Sequence, residues 1–145
     1  MEFHIRAALH DEAKDGWAWI IPAQDVEAPY VRIRNLANDK AVVCEQRVID
    51  ENFRRIYNGR EYTRRIAPDE QVLVISTHYR KRLQIRSTEE TANLEVAPRY
   101  GSIASLRAGW SHASPVVRVA TKLGFVSLIL GFLGLATGLV SLLVT

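Results

Sequence analysis

Hydrophobic positions in this chain follow one rule before Leu123 and another after it. In the first part they come in short runs broken by charge. PYVRIRN, from Pro29 to Asn35, sets Tyr30, Arg32 and Arg34 on one face and Val31 and Ile33 on the other, the period of a half-buried strand. EFHIRAAL and GWAWIIP flank the polar stretch HDEAKDG and predict two strands of a hairpin with a long loop. KAVVCEQRVI and QVLVIST are rich in β-branched residues, and the second is apolar enough to be buried on both faces. NLEVAP adds a short last strand. Six strands of this size within residues 1–98 predict a mainly β body, a small six-stranded barrel or sandwich.

Two helical patterns interrupt the strands. Asp50 is a good N-cap and Gly59 a good stop, and Ile49, Phe53, Ile56 and Tyr57 between them fall on one helical face. In STHYRKRLQI, Ser76 or Thr77 caps a second helix whose Tyr79 and Leu83 share a face. The two pieces match in order: buried strand, capping residue, two polar residues, an aromatic (Phe53 or Tyr79), then two basic residues. This reads as an internal repeat.

From Leu123 to Thr145 the pattern is LGFVSLILGFLGLATGLVSLLVT, 23 residues without a charge. A helix needs about 20 such residues to cross the roughly 30 Å hydrocarbon core of a bilayer, so a C-terminal transmembrane α-helix is expected over residues 118–145. The run contains four glycines, and with two serines they are regularly placed: Gly124, Ser127, Gly131, Gly134, Gly138 and Ser141 form one a/d seam, with a GxxxG step from Gly134 to Gly138. Small residues on one stripe let helix backbones approach closely in lipid, which predicts self-association of the tail into a homo-oligomer. The opposite face, with Phe125, Leu128, Ile129, Phe132, Leu135, Leu139 and Leu142, suits lipid. No ionisable group lies within the run, which excludes proton relays and ion-coupled transport.

Charge adds an orientation. Arg99, Arg107, Arg118 and Lys122 precede the apolar run, so the positive-inside bias places the body in the cytoplasm, at the inner or plasma membrane if the source is bacterial. MEFHIRAALHDE carries neither a basic n-region nor an apolar h-region, so the expected topology is single-pass and tail-anchored. Between body and anchor, residues 99–117 are rich in Ser, Ala and Gly and contain Tyr100 and Trp110. They form either a flexible linker or a short interfacial helix over 102–110 with Ile103, Leu106 and Trp110 on one side. Trp110, Arg118 and Lys122 are the candidate membrane-interface residues.

The body resembles the double-psi β-barrel superfamily over about residues 29–98, on the repeated order of strand, turn and short helix. In that family two pseudo-symmetric halves run around a six-stranded barrel. The resemblance implies a recognition domain, because the Asp-x-Asp and Asp-Thr/Ser-Gly motifs of the family's enzymes do not occur here. Another small barrel or a sandwich remains compatible with the same strands.

Catalytic chemistry is absent from the motifs. There is no GxxxxGK[ST], GxGxxG, HExxH, CxxC or GxSxG. His4, His10, His78 and His112 are scattered, so no metal and no cofactor are expected, although folding can bring His78 near Glu45 or Asp50. Cys44 sits mid-strand as a buried structural thiol. Arginine is the remaining signal. Residues 1–45 carry −3 (five bases, eight acids), whereas residues 46–90 carry +3 (ten bases, seven acids). Arg47, Arg54, Arg55, Arg64, Arg65, Arg80, Lys81 and Arg82 are therefore candidate contacts for an anion or a partner, since arginine's planar fork binds phosphate bidentately. The two helix starts offer further N–H donors to an anion.

Three functions remain open: a non-enzymatic adaptor that binds a cytoplasmic protein or an anionic ligand, a membrane-perturbing effector activated by clustering, and an enzyme of unrecognised type. Membrane lipid is the expected partner of the tail. No motif supports a nucleotide or nucleic acid.

Overall fold

A computed structural model describes residues 1–21, 28–86 and 91–144. The described elements are, in chain order, β1 (Glu2–Ala7), β2 (Trp17–Ile20), β3 (Tyr30–Asn35), β4 (Ala41–Val48), α1 (Glu51–Asn58), β5 (Val72–Ile75), α2 (Thr77–Arg82), β6 (Thr91–Arg99), α3 (Gly101–Ser111) and α4 (Pro115–Val144). The six strands close into a mixed barrel in the order β1-β5-β2-β4-β3-β6.

The predicted strands form, but the predicted hairpin does not. β1 pairs with β5 in parallel and with β6 antiparallel, and β2 pairs with β4 in parallel and with β5 antiparallel, so β1 and β2 never touch as ladder neighbours. The polar stretch between them is a crossover: β5 is apolar on both faces and takes the place between the two strands, with Val72, Leu73, Val74 and Ile75 all fully buried. The repeat also lies elsewhere than the sequence places it. Renumbering β1, β2, β3 as β4, β5, β6 and back leaves both the ring order and the sense of every pairing unchanged. The two-fold relation therefore joins the half β1 to β3 with the half β4 to β6, whereas the two segments that match in the sequence, α1 and α2, both fall in the second half.

Alternation in the strands builds two cores. The inward residues Phe3, Ile5, Ala18, Ile20, Val31, Ile33, Val42, Cys44, Leu73, Ile75 and Leu94 fill the barrel, and Tyr79, Leu83 and Ile85 from α2 and its end pack onto them. Outside the wall, α1 lays Phe53 and Tyr57 over Val72 and Val74, with Ile49 and Ile66 beside them. Trp19 stacks on Phe53 at 4.1 Å between ring centroids, and Phe53 on Tyr57 at 5.6 Å. Ile56, assigned to the same face from its spacing, points outward and is 46% exposed, because the buried stripe of this two-turn helix is only as wide as Phe53 and Tyr57.

Helix ends follow the chemistry of their caps. Asp50 Oδ1 accepts from Phe53 N at 2.6 Å, as expected of an N-cap. Ser76 occupies the corresponding place on α2 without a side-chain bond to the helix. At the other end of α2, Asn35 and Asn38 both donate through Nδ2 to Leu83 O at 2.9 and 3.0 Å, and Gln84 turns the chain with φ of 56°.

Residues 101–111 are a helix, and it is docked. Ala104, Ala108 and Ser111 face the barrel, and Ser111 Oγ donates to Val43 O at 2.6 Å. Ile103, Leu106 and Trp110 lie on the other side, with Ile103 70% exposed.

Candidate functional site

Two regions carry the residues that the sequence singles out: the helical attachment of α3 and α4, and the arginine-bearing walls of the barrel.

α4 starts at Pro115, where a missing N–H costs nothing. It is 30 residues long, and from Pro115 to Leu143 its most apolar window is wholly unburied within the chain. Its first turns run back along α3. Gly109 lets them meet: a Cβ at this position would stand 2.5 Å from Thr121 Oγ1. Trp110 packs edge-on against Phe125 at 5.2 Å. Farther along, Gly101, Ser102, Ser105 and Leu106 share a groove of about 820 Å³ with Gly124, Phe125 and Leu128. Phe125, expected on the lipid-facing side, thus packs against α3, while Leu128 at the edge of the groove is 72% exposed.

The turn between α3 and α4 is held by the body. His78 Nε2 is 3.1 Å from Ser111 O, and Tyr79 Oη donates to Gly16 O at 3.1 Å. The His112 ring lies over Gly16, whose missing Cβ would fall 2.5 Å from Nε2, and whose φ of +75° is itself suited to glycine. Arg118 folds back and donates through Nη1 to His112 O at 2.7 Å and Ala113 O at 3.0 Å, which ties this interface candidate to the turn. Lys122 is exposed and Trp110 is 38% exposed, both open to an interfacial role. Burial lowers the His78 pKa, and Arg118, Arg82 and His112 lower it further, against the raising effect of Ser111 O. His78 is therefore a structural contact of the turn.

On the seam, a Cβ at Gly124, Gly131, Gly134 or Gly138 would meet nothing within 4 Å. At 100° per residue, Gly124 falls at the edge of the face that meets α3 and lines the groove there, whereas the stripe of Ser127, Gly131, Gly134, Gly138 and Ser141 is centred about a third of a revolution from that face.

The eight basic candidates do not form one patch. Arg47, on β4, is paired with Glu45 at 2.9 Å and lies 4.6 Å over the Trp17 ring, at the side of a cavity of about 680 Å³ that Trp19, Tyr30 and Gln46 also line. Arg54 is half-buried on α1 with no acceptor for Nε, and Arg55 donates to Asn52 Oδ1 at 2.8 Å. Arg64 lines a pocket between α1 and the end of β1, while the neighbouring Arg65 is exposed. Lys81 shares a surface cavity of about 640 Å³ with Arg86, Asn38 and Gln84, and Arg82 is exposed beside it. Arg80 is half-buried, donates to Thr77 Oγ1 at 2.8 Å and leaves Nε without an acceptor. The α1 start is closed to anions, because the Asp50 carboxylate already occupies it.

The residue that sequence reasoning misses is Arg6. It is 3% exposed in mid-β1, yet charged. Nη2 pairs with Glu70 and Nη1 donates to Ile5 O at 3.3 Å, whereas Nε–H has no acceptor. Above it, Tyr57 Oη donates to Ala7 O at 2.8 Å. Burial raises the Tyr57 pKa, and the charges of Arg6 and Arg80 oppose that shift, which places both guanidiniums within electrostatic reach of one hydroxyl. The alternation of EFHIRA gives no warning, because Arg6 is outward in the barrel and is covered only by α1 and the loop after it.

Among the described residues no group of His, Cys, Asp and Glu has the spacing to hold a metal. Cys44 is fully buried, 4.0 Å from Val31 O, and burial raises its pKa strongly. No family model matches the chain, and no curated protein matches it either.

Proposed function

We propose that this chain is a single-pass, membrane-anchored recognition module: a cytoplasmic barrel binds a protein or an anionic ligand, and α4 anchors it and gathers copies through its small-residue seam. The observation that carries the reading is α4 itself, an apolar helix with an unburied span whose root is bolted to the barrel through Gly109, His112 and Arg118. A helix so attached transmits position. It holds the barrel in a defined pose against the bilayer, which a flexible tether would not do.

Height along α4 supports the interfacial part. From Leu128, level with the start of α3, to Val144 are 16 residues, about 24 Å of helix, less than the roughly 30 Å core. From Leu123 the reach is about 32 Å. Counted back from Val144, about 30 Å of helix reaches Gly124, so such a span sets the start of α3 about 6 Å inside the core edge and leaves Trp110, at the other end of α3, nearer the headgroups, where it is suited to the interface. The orientation rests on the basic residues that precede the run. The two-fold exchange of strand order supports the double-psi kinship, whose non-catalytic members are recognition domains. The second reading, a membrane-perturbing effector triggered by clustering, is favoured by the same open seam.

Expressed in bacteria, the full chain is expected in the membrane pellet and resistant to alkaline carbonate, and protease added to inverted vesicles should cleave the barrel. Release by carbonate would overturn the anchor, and cleavage only from the periplasmic side would overturn the orientation.

A further inference from the structure

We infer that the pocket between α1 and the end of β1 is a binding site for a phosphate-class oxyanion, held by Arg6 from the floor and by Arg60 and Arg64 from the rim. The inference deepens the recognition reading above, naming the ligand chemistry and the place, and does not depend on the anchor.

The pocket has a volume of about 540 Å³, with Arg6 and Ala7 to Asp11 on one side and Tyr57 and Arg60 to Arg64 on the other. Its floor is unusual in one respect. Arg6 is buried on a wall whose other buried residues are apolar, and one of its donors, Nε–H, has no acceptor. A buried donor left unmade is costly, and more so on a charged group. Glu70 satisfies Nη2 only. Arg80, half-buried and outside the lining of this pocket, also leaves its Nε without an acceptor among the described residues.

Compensation at the rim is equally incomplete. Among the described residues, Arg60 has only Asp11 within ion-pair distance, 3.9 Å away with both side chains largely exposed, and Arg64 has none, although Glu61 lines the same rim. The pocket thus presents guanidinium donors from two elements on different sides. A carboxylate can be saturated by one arginine fork. A tetrahedral oxyanion, with more acceptor oxygens, uses donors that arrive from several directions, and this favours phosphate or a phosphate monoester. Two sources supply that chemistry, a soluble phosphate compound and a lipid headgroup. β1 and β4 stand opposite one another in the six-stranded ring, so the pocket lies on the far wall from the one that carries α3 and α4.

The test uses the full chain in nanodiscs of phosphatidylcholine. Titration with inorganic phosphate, against sodium chloride at matched ionic strength, is expected to give a saturable rise in melting temperature. A second series uses nanodiscs doped with phosphatidylinositol phosphate added in trans, read by flotation. Arg60→Gln with Arg64→Gln, both on exposed rim positions, should weaken whichever response is seen at least tenfold without changing the melting temperature in chloride. Arg6→Lys retains a cation for Glu70 and loses the fork, and should weaken it to a similar extent. A response to inorganic phosphate assigns a soluble source, and a response to the doped discs alone assigns the headgroup. No saturable response to either, or a response that all three substitutions leave intact, overturns the site. Carbonate resistance is independent of that outcome, so loss of the pocket and loss of the anchor are told apart.

Discussion

At the scale of single residues, His78 shows how the turn between α3 and α4 depends on the body. Its pKa lies below the ordinary 6.5, first because it is partly buried and then because Arg118, Arg82 and His112 surround it. The unfolded chain therefore binds a proton near pH 6.5 that the folded chain refuses, and the contribution to stability is present above that pH and falls as the pH drops through it. Melting curves of the full chain in detergent at pH 7.5 and 5.5 should show a larger loss on acidification for the natural protein than for His78→Gln. Equal losses would mean that another group governs the acid limb. None of this was readable beforehand: four scattered histidines gave no reason to pair His78 with Ser111 or His112 with Gly16, contacts made across 33 and 96 positions of sequence. Arg6 was hidden for a related reason, since burial on the outer side of a strand is decided by what covers the strand. Asp50, whose cap acts within its own turn, was legible at once.

At the scale of elements, local patterns survived and pairings did not. Alternation identified β3, β-branched residues identified β4, and the double-sided apolar run identified β5, because each is a statement about what the faces of one strand touch. Which strand lies beside which is a long-range choice, and β5 entering between β1 and β2 is what replaced the expected hairpin. The α3–α4 pair belongs to the same class. Its contact is set by Gly109, which the composition of residues 99–117 offered only as one of several small residues. Gly109→Val would place branched carbon against Thr121, and overpacking of this kind costs about 1–3 kcal/mol. The expected outcome is separation of α4 from α3 without unfolding of the barrel: faster proteolysis within residues 112–114 and loss of the Trp110–Phe125 contact, with the α1 side unchanged. Global unfolding with a single transition would show instead that α3 is part of the barrel's cooperative core.

For the whole molecule, the question is what a rooted helix, long and apolar enough to cross a membrane, does with the small-residue stripe that α3 does not cover. α3 takes the side of α4 around Thr121 and Phe125, with Gly124 at the edge of the groove between them, and the stripe of Ser127, Gly131, Gly134, Gly138 and Ser141 is centred about a third of a turn away. Because the root is fixed, two copies that pack by this stripe must also set their barrels at a fixed separation, so association of the tails and arrangement of the oxyanion pockets become one event. Small-residue packing in lipid is worth having only if the backbones come close, and leucine at the seam prevents that approach while keeping the helix apolar. The variant Gly131→Leu, Gly134→Leu, Gly138→Leu is therefore expected to insert normally, with unchanged carbonate resistance, and to run as a monomer in native mass spectrometry from detergent where the natural chain runs as an oligomer. If the natural chain arrests growth on expression, the adaptor and effector readings separate on the same variant. Relief of the arrest ties toxicity to packing of the helices, whereas arrest that persists in a monomeric variant removes clustering as its cause. A natural chain that is itself monomeric across detergents would dismiss the seam as an interface and leave the anchor and the pocket standing.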